Sequence, residues 1–81
     1  MNVSKDIKKA GRVFRVSLKY YISPSEFGID GGRVSKLWIS EKTDSGRVII
    51  RCNYDRGWDL PPDITDSTLK AVYKSIIARY N

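Results

Sequence analysis

The sequence predicts an α+β fold in which a three-stranded antiparallel meander packs against one C-terminal helix. The first observation is a period-two alternation of apolar and polar side chains in three segments of residues 12–54, which is typical of half-buried strands. The second is an apolar stripe at helical spacing in residues 66–80. Because neither layer can bury its apolar side alone, we expect the two layers to pack on each other.

The chain of 81 residues is short enough to form only one domain, spanning residues 1–81. Charged residues make up 30% and apolar residues 41% of the sequence, which is typical of a globular protein. A domain of this size has one thin core and leaves no room for a deep catalytic cleft.

Residues 1–11 are strongly basic, and two interpretations remain open for them. They form either one or two helical turns, with Ser4 as N-cap and Gly11 as the stop, or a frayed basic arm. The helix would complete an α-β-β-β-α order, which double-stranded RNA-binding domains share. Those domains carry cations at the start of the last helix, where this sequence has residues 65–68, Thr-Asp-Ser-Thr, so we do not expect their function here.

Three strands are predicted in order along residues 12–54. Residues 12–22 alternate most regularly, and residues 23–32 form a Gly- and Pro-containing loop. Residues 33–41 and 47–54 should form a hairpin around the turn sequence Thr-Asp-Ser-Gly. The register of the second strand is ambiguous, although burying Leu37 and Ile39 would leave Trp38 outside.

The C-terminal part of the chain divides into a loop and a helix. Residues 55–65 form a Pro- and Asp-rich loop, and residues 66–80 form an amphipathic helix with Thr65 or Asp66 as N-cap. The loop's aspartates could bind Mg²⁺ or Ca²⁺, but the spacing of an EF-hand is absent, and turn formation and helix capping explain them better. Trp58 within the loop either plugs the end of the core or serves as an exposed anchor for a partner.

The predicted sheet leaves one face open, and that face is the candidate binding site. The residues we expect to carry binding are Arg15, Lys19, Tyr21, Lys36, Trp38, Arg47 and Arg51, with Trp58 as a further anchor. We expect five cations, two aromatic side chains and no acid on the face. Such a surface suits single-stranded nucleic acid or a protein partner. The alternative is that the lysines and arginines have no binding role and only make an exposed sheet face hydrophilic.

The missing residue types exclude most catalytic and metal chemistry. The sequence has no His and one Cys, Cys52, so it can form no His-dependent triad or dyad, no Cys/His zinc site and no internal disulfide. We therefore expect no enzyme activity, cofactor or metal. No apolar run is long enough for a signal peptide or a membrane span, so we expect a cytoplasmic protein.

Two stretches resemble a known family. Residues 24–39, PSEFGIDGGRVSKLWI, and residues 53–59, NYDRGWD, resemble short bacteriophage and prophage proteins of Gram-positive bacteria that have no assigned activity. The resemblance covers roughly residues 12–81. It implies a phage origin and supplies no catalytic residues.

The resemblance and the open face together suggest a function. Small phage proteins often bind and inhibit host machinery, and inhibitors of bacterial defence systems such as anti-CRISPR proteins are prominent among them. Our leading hypothesis is a non-enzymatic inhibitor or adaptor that binds a host or phage protein, including a nucleoprotein defence complex, in the host cytoplasm. The alternative is a basic nucleic-acid-binding module, and a weaker one is a virion component. We expect a monomer or a weak homodimer.

Overall fold

A computed structural model describes residues 1–81 as one antiparallel sheet with one helix on it. The strands are β1 (Asn2–Lys9), β2 (Arg12–Tyr20), β3 (Val34–Lys42), β4 (Val48–Asp55) and β5 (Trp58–Leu60), and the helix is α1 (Ser67–Tyr80). The sheet order β1-β2-β3-β4-β5 follows the chain, and each strand is antiparallel to its neighbours. The predicted three-stranded meander is therefore wrong, because the sheet has five strands, whereas the C-terminal helix is confirmed.

The N-terminal residues are part of the sheet, so both the predicted helix and the frayed arm are wrong. β1 pairs with β2 along its whole length, from Asn2 opposite Lys19 to Lys9 opposite Arg12. Every second side chain of β1 faces the core side of β2. The sheet therefore has an edge strand, β1, that the sequence pattern does not predict.

Two features of the sequence explain why its pattern does not predict β1. Lys5 interrupts the apolar alternation between Val3 and Ile7, although it faces the same side of the sheet. Its amine donates a hydrogen bond to the Tyr80 hydroxyl at 3.3 Å, so the stem covers apolar surface while the ammonium group keeps a hydrogen-bond acceptor. The connection to β2 is a two-residue turn in which Ala10 has φ 51° and Gly11 has φ 73°. Positive φ at both positions suits a tight hairpin, but Ala is an uncommon residue there.

β5 lies within residues 55–65, which had been predicted as a loop. Leu60 pairs with Asn53, and Trp58 pairs with Tyr54. The turn between β4 and β5 contains Arg56 at φ 57°. Three residues are too few for an alternating pattern to be recognised, and the following prolines favour a loop interpretation.

The core lies between one face of the sheet and α1. Its thirteen buried residues are Phe14, Val16, Leu18, Ile29, Val34, Leu37, Ile39, Cys52, Tyr54, Leu69, Val72, Ile76 and Tyr80. Ile29 comes from a single turn of 3₁₀-helix, Ile29–Gly31, in the loop between β2 and β3. The side chain of the last residue, Asn81, holds this loop in place. It donates to the Ile29 carbonyl and accepts from the Val34 amide, both at 3.0 Å.

The start of α1 confirms one of the two predicted caps. Asp66 is the N-cap, and its Oδ1 accepts a hydrogen bond of 3.1 Å from the Leu69 amide. This bond satisfies an amide that the first turn leaves without an intrahelical partner. No helix of the protein has the length and apolarity needed to cross a membrane.

Candidate binding face

The side of the sheet opposite α1 is covered by no other element, and we call it the open face. Its side chains follow from the register of the five strands. They are Asn2, Ser4, Asp6 and Lys8 of β1, Val13, Arg15, Ser17 and Lys19 of β2, Lys36, Trp38, Ser40 and Lys42 of β3, Val48, Ile50, Asn53 and Asp55 of β4, and Leu60 of β5.

Trp38 occupies the middle of the open face. It lies in register with Ser17 on β2 and Asn53 on β4, and 38% of its surface is exposed. Because both neighbours are smaller than the indole, they leave one side of the ring accessible. Trp38 also lines a shallow depression of about 730 Å³ that extends from Asn2 on β1 to Asp59 on β5. The prediction that burial of Leu37 and Ile39 leaves Trp38 outside is confirmed.

Apolar side chains continue from Trp38 toward β5. Val48 is 64% exposed, Ile50 45% and Leu60 41%. Large apolar side chains that share one exposed surface commonly mark an interaction site. The large apolar side chains of the open face therefore lie on strands β3 to β5, where polar and charged side chains separate them, whereas β1 and β2 are mainly polar.

Charges of both signs lie on the open face beside these apolar side chains. Lys8, Arg15, Lys19, Lys36 and Lys42 are the cations of the open face, and Asp6 and Asp55 are its acids. Arg15 Nη1 lies 3.1 Å from Asp6 Oδ1, and Lys36 Nζ lies 3.9 Å from Asp55 Oδ1. The expectation of a face without acids is wrong, because β1 adds Asp6 and β4 extends to Asp55.

Lys19 and Lys36 form an unusual pair at one end of the open face. They lie directly opposite each other on β2 and β3. Like charges in this position destabilise a sheet. Lys36 has Asp55 near its amine, whereas Lys19 has no ion-pair partner and its Nζ lies 5.4 Å from the centre of the Tyr21 ring. Tyr21 therefore borders the face just beyond the end of β2.

Arg51 does not lie on the open face, and its predicted place there is wrong. Ile39 pairs with Cys52 while the next residue, Ser40, pairs with Ile50, so Arg51 is the extra residue of a β-bulge. The bulge turns its side chain to the side of α1, where Nε donates to Glu41 Oε1 at 3.1 Å.

Ile49 and the predicted binding residue Arg47 also lie off the open face. Ile49 pairs with Glu41 and likewise faces α1. Arg47 lies in the turn between β3 and β4, outside the paired residues. The five predicted cations are therefore not brought together, because only Arg15, Lys19 and Lys36 of that set lie on the open face.

Trp58 also faces the other side of the sheet. Its ring lies 4.9 Å from the centre of the Tyr54 ring in an edge-to-face arrangement, and 6.0 Å from the Tyr73 ring of α1. These contacts place Trp58 at the end of the core on the side of α1, with part of its surface exposed. They agree with the interpretation that Trp58 plugs the core.

The two stretches that carry the family resemblance are neighbours in space. Residues 24–39 include most of β3 and residues 53–59 include the end of β4, and these strands pair. The Tyr54 hydroxyl donates to the Phe27 carbonyl at 2.7 Å, and the Arg56 amide donates to the Ser35 carbonyl at 2.9 Å. The pairing places Trp38 of the first stretch opposite Asn53 of the second.

Comparison with known protein families gives one match. The model of a domain of unknown function, DUF7678, matches residues 1–81. The chain belongs to the DUF7678 family. Because the match includes residues 1–11, β1 lies within the domain that defines this family. No curated protein matches the sequence, and no solved structure matches the fold.

Sequence analysis missed an ion-pair network on the opposite side of the sheet of this DUF7678 domain. Arg12 donates two hydrogen bonds to the Glu41 carboxylate, at 2.7 and 2.9 Å, and two to the Asp66 carboxylate, at 2.7 and 2.8 Å. Arg51 adds a third hydrogen bond to Glu41. The network joins β2, β3 and β4 to the first turn of α1. No local motif could indicate it, because its four residues are far apart in sequence.

The network lowers the pKa of both carboxylates. The hydrogen bonds from Arg12 hold the pKa of Glu41 below its ordinary value, although burial opposes the shift. The pKa of Asp66 is lowered by its hydrogen bonds from Arg12 and then by the one from the Leu69 amide. The same pairing raises the pKa of Arg12 above its already high value. Arg12, Glu41 and Asp66 therefore all stay ionised at neutral pH.

The aspartates of residues 55–66 have structural partners. Asp63 accepts hydrogen bonds from the amide and the hydroxyl of Thr65, at 2.9 and 2.6 Å, and Asp66 caps α1. No three His, Cys, Asp or Glu side chains lie close enough together to hold a metal ion. Cys52 is buried, and desolvation raises its pKa to about 12, which keeps it a neutral thiol and a poor nucleophile.

Proposed function

We propose that the chain is a non-enzymatic binding protein of phage or prophage origin that docks onto one host or phage protein through its open face. The observation that carries the proposal is Trp38, a partly exposed tryptophan at the centre of an uncovered sheet face. Tryptophan and arginine are the side chains that most often dominate the energy of protein interfaces. Here Trp38 is flanked by Ser17 and Asn53, and the same face also carries exposed Ile50 and Leu60 and two ion pairs.

The dimensions of the open face support a protein partner. β1 to β4 have eight or nine residues each and β5 has three, so at about 3.3 Å per residue and about 4.8 Å between strands the sheet has an area on the order of 600 Å². A stable protein interface buries about 800 Å² on each partner. The open face with its rim is therefore large enough to form most of one interface.

The composition of the open face favours protein over nucleic acid. Proteins that bind single strands use a cationic groove and several aromatic side chains on which bases stack. Here Asp6 and Asp55 offset two of the five cations, and Trp38 is the single aromatic side chain within the face. The overall net charge of +6 still favours association with anionic surfaces, and we keep nucleic acid as an outcome of the test.

The resemblance to phage and prophage proteins supports a target inside the bacterial host. We propose that binding inhibits or redirects host machinery in the cytoplasm, and that the target class is a nucleoprotein defence complex. The absence of His and the buried state of Cys52 agree with action through binding rather than catalysis. The basic character of the chain points to an acidic protein surface of such a complex.

The test is a pull-down of tagged protein from a lysate of a Gram-positive host, with and without nuclease, using Trp38→Ala and the matched control Ile64→Ala. Ile64 is also exposed and apolar but lies outside the open face. We expect one protein in near-stoichiometric amount after nuclease treatment. Trp38→Ala should weaken its capture about 30-fold, equivalent to about 2 kcal/mol, and Ile64→Ala should not.

Two results would contradict the proposal. Capture that Trp38→Ala leaves unchanged would exclude the open face as the site. Retention of nucleic acid, with every protein lost after nuclease treatment, would favour the nucleic-acid-binding alternative. In that case binding should also fall steeply with salt, because each phosphate contact releases counterions.

A further inference from the structure

The Lys19 and Lys36 pair indicates the charge of the group that a partner places beside it. Two lysines directly opposite each other in a sheet repel, and nothing else in the chain neutralises Lys19. Lys36 has only the carboxylate of Asp55, at 3.9 Å and well exposed. An anionic group placed between the two amines would remove the repulsion and gain two charge-assisted contacts.

Trp38 lies next to this pair on the same face. It is two residues after Lys36 on β3, so about 7 Å separates the two positions along the strand. In an extended segment of a partner, side chains two residues apart have the same separation, and in a helix side chains three or four residues apart lie about as close. Ser17 and Asn53 flank Trp38 and offer hydrogen-bonding groups without blocking access.

A second copy of this chain does not fit the site. In a two-fold symmetric pair each open face would meet another face with the same charges. Five cations against two acids leave each face positive, so the two faces would repel. A partner with negative charge is favoured for the same reason.

Resting on the function proposed above, we infer that the partner presents a segment in which an acidic side chain lies beside an apolar one. The carboxylate binds between Lys19 and Lys36, and the apolar side chain packs on Trp38 toward Ile50 and Leu60. The charge contact sets orientation and the rate of association, while the apolar contact supplies most of the affinity.

The test selects peptides from a random library displayed on filamentous phage, using the folded full-length protein as bait. The baits are wild type, Lys19→Glu with Lys36→Glu, Trp38→Ala, and a matched control, Lys70→Glu with Lys74→Glu. The control lysines are exposed on α1. Because both double variants replace two lysines with two glutamates, they have the same net charge. Thermal unfolding of each bait verifies that it is folded.

We expect wild type to enrich peptides with Asp or Glu close to an apolar residue. A synthetic peptide from this pool should bind at least about tenfold more weakly to the Lys19/Lys36 variant than to the Lys70/Lys74 control. Its affinity should fall with salt and should also fall with Trp38→Ala.

Each other outcome overturns the inference in a different way. Enriched peptides that need Trp38 but show no preference for acids would reject the inference and leave the proposed function intact. Absence of peptide enrichment, with Trp38-dependent binding of oligo(dT), would reject both. Concentration-dependent dimers in sedimentation that Trp38→Ala abolishes would assign the face to a second copy. Failure of every bait to enrich any peptide also rejects a linear acidic segment.

Discussion

Arg12 shows how one residue can connect the layers of a thin domain. Its guanidinium bonds with Glu41 on β3 and with Asp66, the cap of α1, and it lies 4.9 Å from the centre of the Phe14 ring. A planar guanidinium with five N–H donors can make two hydrogen bonds to each of two carboxylates, which the three donors of a lysine ammonium cannot do. Because Asp66 caps the helix as well, the network couples helix formation to sheet formation.

The network predicts a dependence of stability on acid. Glu41 and Asp66 have a lower pKa in the folded state than in the unfolded state, so their contribution is complete above the ordinary values of 4.5 and 3.8. It is lost as the pH falls from there through the lower folded values. We expect the free energy of unfolding, measured with urea, to fall between about pH 5 and about pH 2.

Two variants test the origin of this dependence. Arg12→Ala should be less stable at neutral pH and should lose most of the dependence, because the hydrogen bonds from Arg12 are the largest cause of the lowered pKa of both carboxylates. Arg15→Ala removes the exposed ion pair with Asp6 and should change stability by less than about 1 kcal/mol. Equal acid sensitivity in wild type and Arg12→Ala would contradict the assignment to this network.

At the scale of elements, the sequence patterns predicted the long, regular segments well. The strand predicted at 12–22 ends two residues earlier, and those at 33–41 and 47–54 are displaced by one residue. The helix predicted at 66–80 begins one residue later, after its Asp66 cap. Each of these segments has a repeated apolar pattern with signals at its ends.

The remaining strands lack such signals. β1 has a lysine at a core-facing position and a turn that begins with Ala, and β5 has three residues. β1 and β5 are each stabilised by pairing with a longer strand of the sheet. A local sequence pattern does not encode pairing between separate segments. The bulge at Arg51 is likewise not encoded in a local pattern, and it turns the Arg51 side chain away from the open face.

The turn between β1 and β2 gives a prediction at this scale. Ala10 adopts φ 51°, which Asn adopts more readily, and Asn-Gly is the preferred sequence of such turns. We expect Ala10→Asn to raise the free energy of unfolding by about 0.5–1 kcal/mol in urea titration. The control Ala78→Asn, on the exposed side of α1, should lower it by about 0.6 kcal/mol. A destabilised Ala10→Asn variant would contradict the turn conformation.

At the scale of the molecule, β1 decides whether the outer edge of β2 is paired. Without it, β2 would be an exposed edge, and Val16 and Leu18 would lose neighbours on one side. The small core makes the domain sensitive to such a loss, because a domain of this length buries a smaller fraction of its surface on folding than a larger one does.

Deletion of residues 1–10 tests this role. We expect the shortened chain to unfold at markedly lower urea concentration or to aggregate, as followed by circular dichroism and light scattering. As a matched control, full-length protein with Lys8→Ser and Lys9→Ser loses basic charge but keeps the strand, and it should stay close to wild type. A shortened chain as stable as wild type would show that β1 is dispensable.

The sequence by itself determined the class of structure and the kind of surface. Periodicity required a half-buried sheet and an amphipathic helix, and the residue types excluded a His-dependent triad or dyad and a Cys/His zinc site within one chain. It also predicted that Arg15, Lys19, Lys36 and Trp38 share an uncovered face, since alternation along a strand assigns faces once the core residues are known.

Tertiary structure alone decided the extent of the sheet and the charge of its open face. The added strand β1 and the length of β4 brought Asp6 and Asp55 among the cations, and a bulge turned Arg51 to the other side. The Arg12 network also arose only on folding. The physical reason is common to all three: which strands pair, and in which register, depends on contacts between segments far apart in sequence, and these contacts leave no trace in the local pattern.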